Sequence, residues 1–189
     1  NDWTQEVKDL KVEWVKKALC HLCVRLATTT IFKSPIPHEL RLSKKVMNLP
    51  NGVDEEFFQV RDKFHARRQL GLSVDSKYLL FVSSKNKFRD QKRYDIFQKV
   101  IEIVRKKRPD LTVDEFAMVG QPRPLVPIIL SACDVHVLTS DYEGSPNSVK
   151  ESLACGTPVV SRAVGNVLDM LADVTGAHVV ESDDPAELA

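Results

Sequence analysis

The stretch VHVLTSDYEGSPNSVKESLACGTPVVS, Val135 to Ser161, decides how this chain is read. Val135 to Thr139 is apolar and β-branched, a short strand. A polar loop follows, Ser140 to Gly144. Ser145 then suits a helix N-cap and Pro146 the first helical position, where a missing N–H is no loss. The helix runs from Pro146 to Ala154, with Gly156 just past it, and Pro158 to Ser161 is a second strand. Strand, helix and strand in so short a space require a parallel pair with a crossover.

The same alternation extends outward. Tyr78 to Ser83 is a continuous apolar strand, of the kind buried on both faces. Arg93 to Lys107 is a helix with Phe97, Val100, Ile101 and Val104 on one stripe, ended by Pro109. Phe116 to Val119 is a strand closed by Gly120, and Val126 to Ala132 a short helix. Val167 to Ala172 and His178 to Val180 add a last helix and strand. The pattern predicts an α/β fold, a doubly wound parallel sheet. Upstream, Glu55 to Leu70 reads as a helix stopped by Gly71, and LPNGVD as a turn. Val46 to Leu49 and ATTTIFKS read as strands, and SPIPHELRLSKKV as loop. Residues 1 to about 28 read as a helix with an apolar stripe of Val12, Val15, Leu19, Leu22 and Leu26. The turn divides the chain into residues 1–49 and 50–189.

Composition narrows the function. The chain has 189 residues and a formal net charge of +1, without the basic field that nucleic-acid binding needs. Cys20, Cys23, Cys133 and Cys155 show no disulfide framework, so a cytoplasmic setting is expected. No run is long and apolar enough for a membrane span, and no signal peptide is visible. There is no GxGxxG and no P-loop, which argues against a dehydrogenase or an NTPase. The first residue is not Met and DDPAELA reads as a helix beginning, so both ends are expected to be cut.

In an open parallel sheet the ligand sits off the carboxyl ends of the strands. Glu143, in the loop after the Val135–Thr139 strand, is therefore at the mouth of a site. The N–H groups of Asn147, Ser148 and Val149 are donors at a helix N-terminus, suited to phosphate. Glu151, a turn and a half inside, leans back toward the same end. A ligand with a diphosphate between hydroxylated rings fits this layout, and carboxylates are strong acceptors for such hydroxyls. A nucleotide sugar is such a ligand. The plainer reading is that Glu151 is solvated and Glu143 merely complements the helix dipole.

The motifs together resemble retaining glycosyltransferases of family four, with GT-B architecture. Glu143-Gly144 through Glu151, followed by Ala154-Cys155-Gly156-Thr157-Pro158-Val159-Val160, looks like their E-x7-E signature. Asn51-Gly52-Val53-Asp54 with Phe57 is similar to the turn opening their C-terminal domain. Lys92 with Asp95 resembles the helix start after its first strand. Ala132-Cys133-Asp134-Val135 with Leu138-Thr139-Ser140 resembles the strand before the signature, and Ala163-Val164-Gly165 the loop after it. The resemblance covers about three quarters of the chain, from Asn51 onward.

It implies that residues 50–189 are a donor-binding domain and residues 1–49 a remnant of an acceptor domain. Glu151 would bind ribose hydroxyls and Glu143 the donor sugar. Backbone N–H groups from Gly144 through Ser145 to Ser148 would hold sugar and phosphate oxygens. Lys92 would neutralise the leaving diphosphate, with a second cation among Lys85, Lys87 and Arg89. No metal or other cofactor is expected, because side-chain cations and the helix start stabilise the charge. The sugar would pass with retention to an acceptor saccharide or lipid-linked saccharide held elsewhere in a longer chain. This fragment alone would transfer nothing. The sequence departs from the family at Ser83-Ser84 in place of Gly-Arg, at Arg93 in place of Gly, and in the short 121–131 segment, which leaves the nucleobase contacts unmatched.

The alternative is a binding or assembly module with a degenerate nucleotide pocket. A nucleotide-sugar epimerase is set aside because of the E-x7-E spacing and the NGVD start. Cys20-His21-Leu22-Cys23 lacks a second pair for zinc, so both cysteines read as helix packing. His136 reads as a core or surface histidine, and Cys155 as core packing. Arg105-Lys106-Lys107-Arg108 complements a helix C-terminus. With Lys16, Lys17 and Arg25, it also allows a weaker reading as peripheral membrane contact.

Overall fold

The computed structural model describes residues 3–33, 36, 38, 45–84, 86 and 88–189, with side chains described from residue 14 onward. The chain divides into two compact units, Asn1–Pro50 and Asn51–Ala189. The boundary falls within the LPNGVD turn.

In the first unit, helix α1 spans Trp3–Leu26, and strands β1 (Thr30–Phe32) and β2 (Val46–Asn48) form a parallel pair. Most of the residues between the two strands lie outside the described residues, as does the Val12 side chain. Val15, Leu19, Leu22 and Leu26, expected to form an apolar stripe, are exposed rather than packed, as are Cys20 and Cys23. Among the described residues no helix is long and apolar enough to cross a membrane.

The second unit is the predicted α/β domain. Its strands are β3 (Lys77–Ser83), β4 (Val113–Val119), β5 (Val135–Leu138), β6 (Val159–Arg162) and β7 (His178–Val180). They form one all-parallel sheet in the order β4-β3-β5-β6-β7. The helices are α2 (Lys63–Gln69), α3 (Tyr94–Lys107), α4 (Val126–Ala132), α5 (Asn147–Ala154), α6 (Val167–Leu171) and α7 (Pro185–Leu188). Alternation along β3 explains its unbroken apolar run. Leu79 and Phe81 pack with Phe97, Val100 and Ile101 of α3 on one face. Tyr78 and Leu80 pack with Phe58, Ile129, Leu130 and Cys155 on the other. Leu138 and Val159 join Val149, Val167 and Leu171 beneath α5 and α6.

Several helix boundaries differ from the sequence reading: α3 begins at Tyr94 rather than Arg93 and α6 ends at Leu171 rather than Ala172, and α2 and α5 also start later than expected. Residues 55–62 are turn and extended backbone, and α2 begins only at Lys63. The Asp54 carboxylate accepts from the Phe57 N–H at 3.1 Å, closing a local turn, and Asp62 caps α2 by accepting from the His65 N–H at 2.7 Å. Side-chain caps of this kind stop a helix from growing backward. At α5 the cap is Pro146, not Ser145, so the helix starts one residue later than expected. The Ser145 hydroxyl instead accepts from Lys150 Nζ at 2.5 Å, and the same ammonium donates to the Asn51 carbonyl at 2.7 Å.

The topology fixes where a ligand can go. From β3 the chain first runs outward to β4 and then returns across β3 to β5, so the winding reverses between β3 and β5. Their pairing covers only Leu79↔Val135 and Leu80↔His136, although β3 continues to Ser83 and β5 to Leu138. The two carboxyl ends part and leave a crevice at the switch point, where doubly wound sheets bind their ligands.

Candidate functional site

A cavity of about 490 Å³ opens at that crevice. Val82, Ser83 and Ser84 come from the end of β3, and Met118, Gly120 and Gln121 from the end of β4 and the turn beyond it. Arg89, Gln91 and Lys92 come from the approach to α3, Glu143 from the loop after β5, and Asn147, Ser148 and Glu151 from α5. Sequence positions from 82 to 151 thus meet around one space.

Lys92 Nζ donates to Glu143 Oε1 at 2.7 Å, and both side chains are 14% exposed. The Ser140 hydroxyl donates to the same oxygen at 2.8 Å. Behind them the approach to α3 is fastened to the loop after β5. The Thr139 hydroxyl donates to the Lys92 carbonyl at 2.8 Å, the Asp141 N–H to the Gln91 carbonyl at 2.9 Å, and Gln91 Nε2 to the Tyr142 carbonyl at 2.6 Å. Arg93 stands at φ 49°, the left-handed conformation that glycine adopts without strain. Its guanidinium is gripped by Asp95 at 2.9 Å and Asp141 at 3.1 Å, which compensates the backbone. The Arg for Gly departure therefore keeps the backbone turn and adds a tie to the loop.

Glu151 sits across the cavity, 3.8 Å from Arg123, whose guanidinium lies over the rings of Phe57 and Phe58. Burial pushes the Glu151 carboxyl above the usual carboxylate range, and Arg123 opposes part of that rise. The N–H groups of Asn147, Ser148 and Val149 form the first turn of α5 and lack intrahelical acceptors. Asn51 Nδ2 donates to Asn147 Oδ1 at 3.1 Å, which ties the NGVD turn to that helix start.

Gly165 determines the position of the Glu143-Gly144 backbone. It stands at φ +58°, and a Cβ there would lie 2.2 Å from the Gly144 carbonyl oxygen and 2.8 Å from that of Glu143. The loop after β6 thus packs backbone to backbone under the site loop, and the Asn166 N–H donates to the Gly144 carbonyl at 3.2 Å.

Of the residues singled out from sequence, Glu143, Lys92, Glu151, Asn147, Ser148 and Arg89 line one cavity. The Val149 side chain is fully buried in the core, so only its N–H is disposed toward the helix start. Ser145 is buried and engaged by Lys150. Lys85 and Lys87 lie outside the described residues. Sequence reasoning missed Ser140, Gln91 and Arg123. Ser140 and Gln91 are uncharged and carry no spacing signal, and Arg123 reaches Glu151 only through tertiary packing. The short 121–131 segment still walls the cavity, through Gln121 and Val126.

Residues 115–189 match the family described as glycosyl transferases group 1. Over those residues the chain is similar to group 1 glycosyltransferase domains. It is 38% identical over 76 residues to the 2-deoxystreptamine N-acetyl-D-glucosaminyltransferase of Streptomyces fradiae, a match covering 40% of this chain and 18% of that protein. It is 28% identical over 177 residues to the D-inositol 3-phosphate glycosyltransferase of Acidothermus cellulolyticus, covering 77% of this chain and 39% of the relative. The chain therefore spans well under half of these relatives. Among solved structures, Anabaena HepE in complex with UDP and glucose superposes with a TM-score of 0.65 at 17% identity, covering 89% of this chain and 53% of that one. The fold is that of GT-B glycosyltransferase structures, and the chain holds a part of it.

Proposed function

We propose that residues 51–189 are the donor-binding domain of a glycosyltransferase that moves a sugar from a nucleoside diphosphate sugar to an acceptor. One observation carries the reading. A single cavity at the β3/β5 switch point gathers two carboxylates, the cations Lys92 and Arg89, and a helix start whose first amides face the same end.

The chemistry divides along the cavity. Glu151 accepts hydrogen bonds from the ribose hydroxyls, and Gln121 and Val126 wall the nucleobase end. Lys92, Arg89 and the first-turn amides of α5 neutralise the diphosphate, whose charge grows as the sugar–phosphate bond breaks. Glu143, beside Lys92, takes a hydroxyl of the departing sugar. This is a metal-independent division of labour, in which fixed cations and amide dipoles do the stabilising. Retention at the anomeric carbon follows from the resemblance of Glu143 and Glu151 to the E-x7-E signature. The acceptor, a saccharide or lipid-linked saccharide, belongs to a part of the protein that residues 1–50 do not supply. The bound UDP and glucose of the Anabaena neighbour support a nucleotide-sugar donor.

The test is a calorimetric titration of this chain with UDP, GDP and ADP, beside Glu151→Ala and Lys92→Ala. One diphosphate should bind, and each substitution should weaken it by about 1.5–3 kcal/mol, the loss of one charge-assisted hydrogen bond. No binding of any of the three at millimolar concentration, or unchanged affinity in both variants, overturns the reading.

A further inference from the structure

The two residues assigned to adjoining parts of the donor are engaged with each other. One oxygen of Glu143 receives both the Lys92 ammonium and the Ser140 hydroxyl. With that pair closed, Lys92 is directed at a carboxylate rather than into the cavity, and Glu143 Oε1 already holds two donors.

The framework around the pair does not depend on it. Thr139 to the Lys92 carbonyl, Asp141 to the Gln91 carbonyl, Gln91 to the Tyr142 carbonyl and Arg93 to the Asp141 carboxylate hold loop and helix start together. None of these contacts uses the Lys92 ammonium or the Glu143 carboxylate. The pair can therefore open by rotation of two side chains while both backbones stay in place.

We infer that the Lys92–Glu143 pair is an interlock that makes recognition of the donor sugar conditional on the diphosphate; this rests on the donor-site reading above. A diphosphate carries more charge and more acceptor oxygens than one carboxylate, so it competes for the ammonium. Glu143 then keeps its burial and the Ser140 hydroxyl but loses its cation, and a mostly buried carboxylate without a charged partner is unfavourable. The sugar hydroxyls of the same ligand supply further donors. A free sugar has only neutral hydroxyls to set against an ammonium and leaves the pair closed. The interlock thus selects diphosphate-linked sugars over free ones.

The experiment is a double-mutant cycle on this chain, with UDP, GDP and ADP titrated into the wild type, Glu143→Gln, Lys92→Met and the double variant. Glu143→Gln should bind the diphosphate about five- to tenfold more tightly than the wild type, because Lys92 is no longer held. In the Lys92→Met background the same substitution should give no gain. A Glu143→Gln affinity equal to or below the wild type overturns the interlock while leaving the donor site standing. So does an equal gain in both backgrounds, because that is the field effect of removing a negative charge. Failure of the wild type to bind any of the three diphosphates removes the donor-site reading and the interlock together. Matching thermal melts of the four proteins exclude a folding defect as the source of any difference.

Discussion

Strand β5 has an acid just before its first residue and another in the loop beyond its last, and each faces a cation. At the amino end, Asp134 accepts from the Tyr78 N–H at 2.8 Å, from Lys63 at 3.0 Å and from Arg67 at 2.5 Å. Arg67 is only 2% exposed, and it also donates to the carbonyls of Ala132 and Val74, each at 2.9 Å, while lying over the Tyr78 ring. Burial would raise the Asp134 carboxyl, but the Tyr78 N–H and the two cations outweigh it and hold it below its ordinary value. At the carboxyl end, Glu143 and Lys92 make the same kind of bond but line a cavity. A charge pair whose bonding capacity is met on all sides by protein is a fastener. A pair that shares its space with a cavity can exchange partners. The same chemistry serves architecture at one end of a strand and ligand exchange at the other.

The sharpest way to break the comparison is Asp134→Ala. It leaves Arg67 buried without its carboxylate, and should lower unfolding stability by about 3–5 kcal/mol in a denaturant titration. Diphosphate affinity of the folded fraction should change less than about twofold, far below the effect of Lys92→Ala. A large loss of affinity from Asp134→Ala would erase the distinction between the two ends.

Gly165→Ala attacks the cavity end through its backbone. A methyl group there meets two carbonyl oxygens, at a φ that alanine tolerates poorly. A loss of about 2–4 kcal/mol is expected, together with at least a tenfold weaker diphosphate. Retained binding would show that the Glu143-Gly144 loop is not held from below.

Between the ends, on β5 itself, lies His136, fully buried with Nδ1 3.0 Å from the Ser152 hydroxyl. Burial, reinforced by the charge of Lys92, pushes its imidazole down to about 3. The unfolded chain takes up a proton near pH 6.5 and the folded one does not, so stability is lost as pH falls through that window. By pH 4.5 the loss should reach about 2–3 kcal/mol, and His136→Gln should flatten the dependence between pH 6.5 and 4.5. An unchanged slope in that variant would assign acid sensitivity to other groups.

Glu151→Gln is the smallest effect and the most telling in sign. The raised Glu151 carboxyl means that its charged form is disfavoured in the fold, a penalty present above its folded pKa and relieved as pH falls. The variant should melt about 1–2 °C higher at neutral pH while binding diphosphate less well. A lower melting temperature would mean that Glu151 is a structural residue and not one held at a cost for ligand.

Much of the fold was legible because local rules wrote it. The apolar run of Tyr78 to Ser83, the stripe on α3 and the glycine-marked stops gave β3, α3, α4 and β5 nearly to the residue, whereas β4 begins at Val113, three residues before the expected Phe116. Where a side chain capped backbone of its own segment, as Asp54 and Asp62 do, hydrophobic pattern alone overextended the helix. The two glutamates could be singled out because their spacing around a strand end and a helix start is local, and Lys92 because, with Asp95, it resembles a family motif. What only the tertiary structure decided is which groups meet. Sheet order put the β3 and β5 ends side by side, Arg123 came to Glu151 from a different loop, and Gly165 came under Gly144 across a strand. Lys92 found Glu143 the same way, over 51 positions of sequence. Periodicity and caps act within a few residues, so sequence determines elements. Contacts between chemistry-bearing side chains depend on strand order, which the packing of the whole domain fixes.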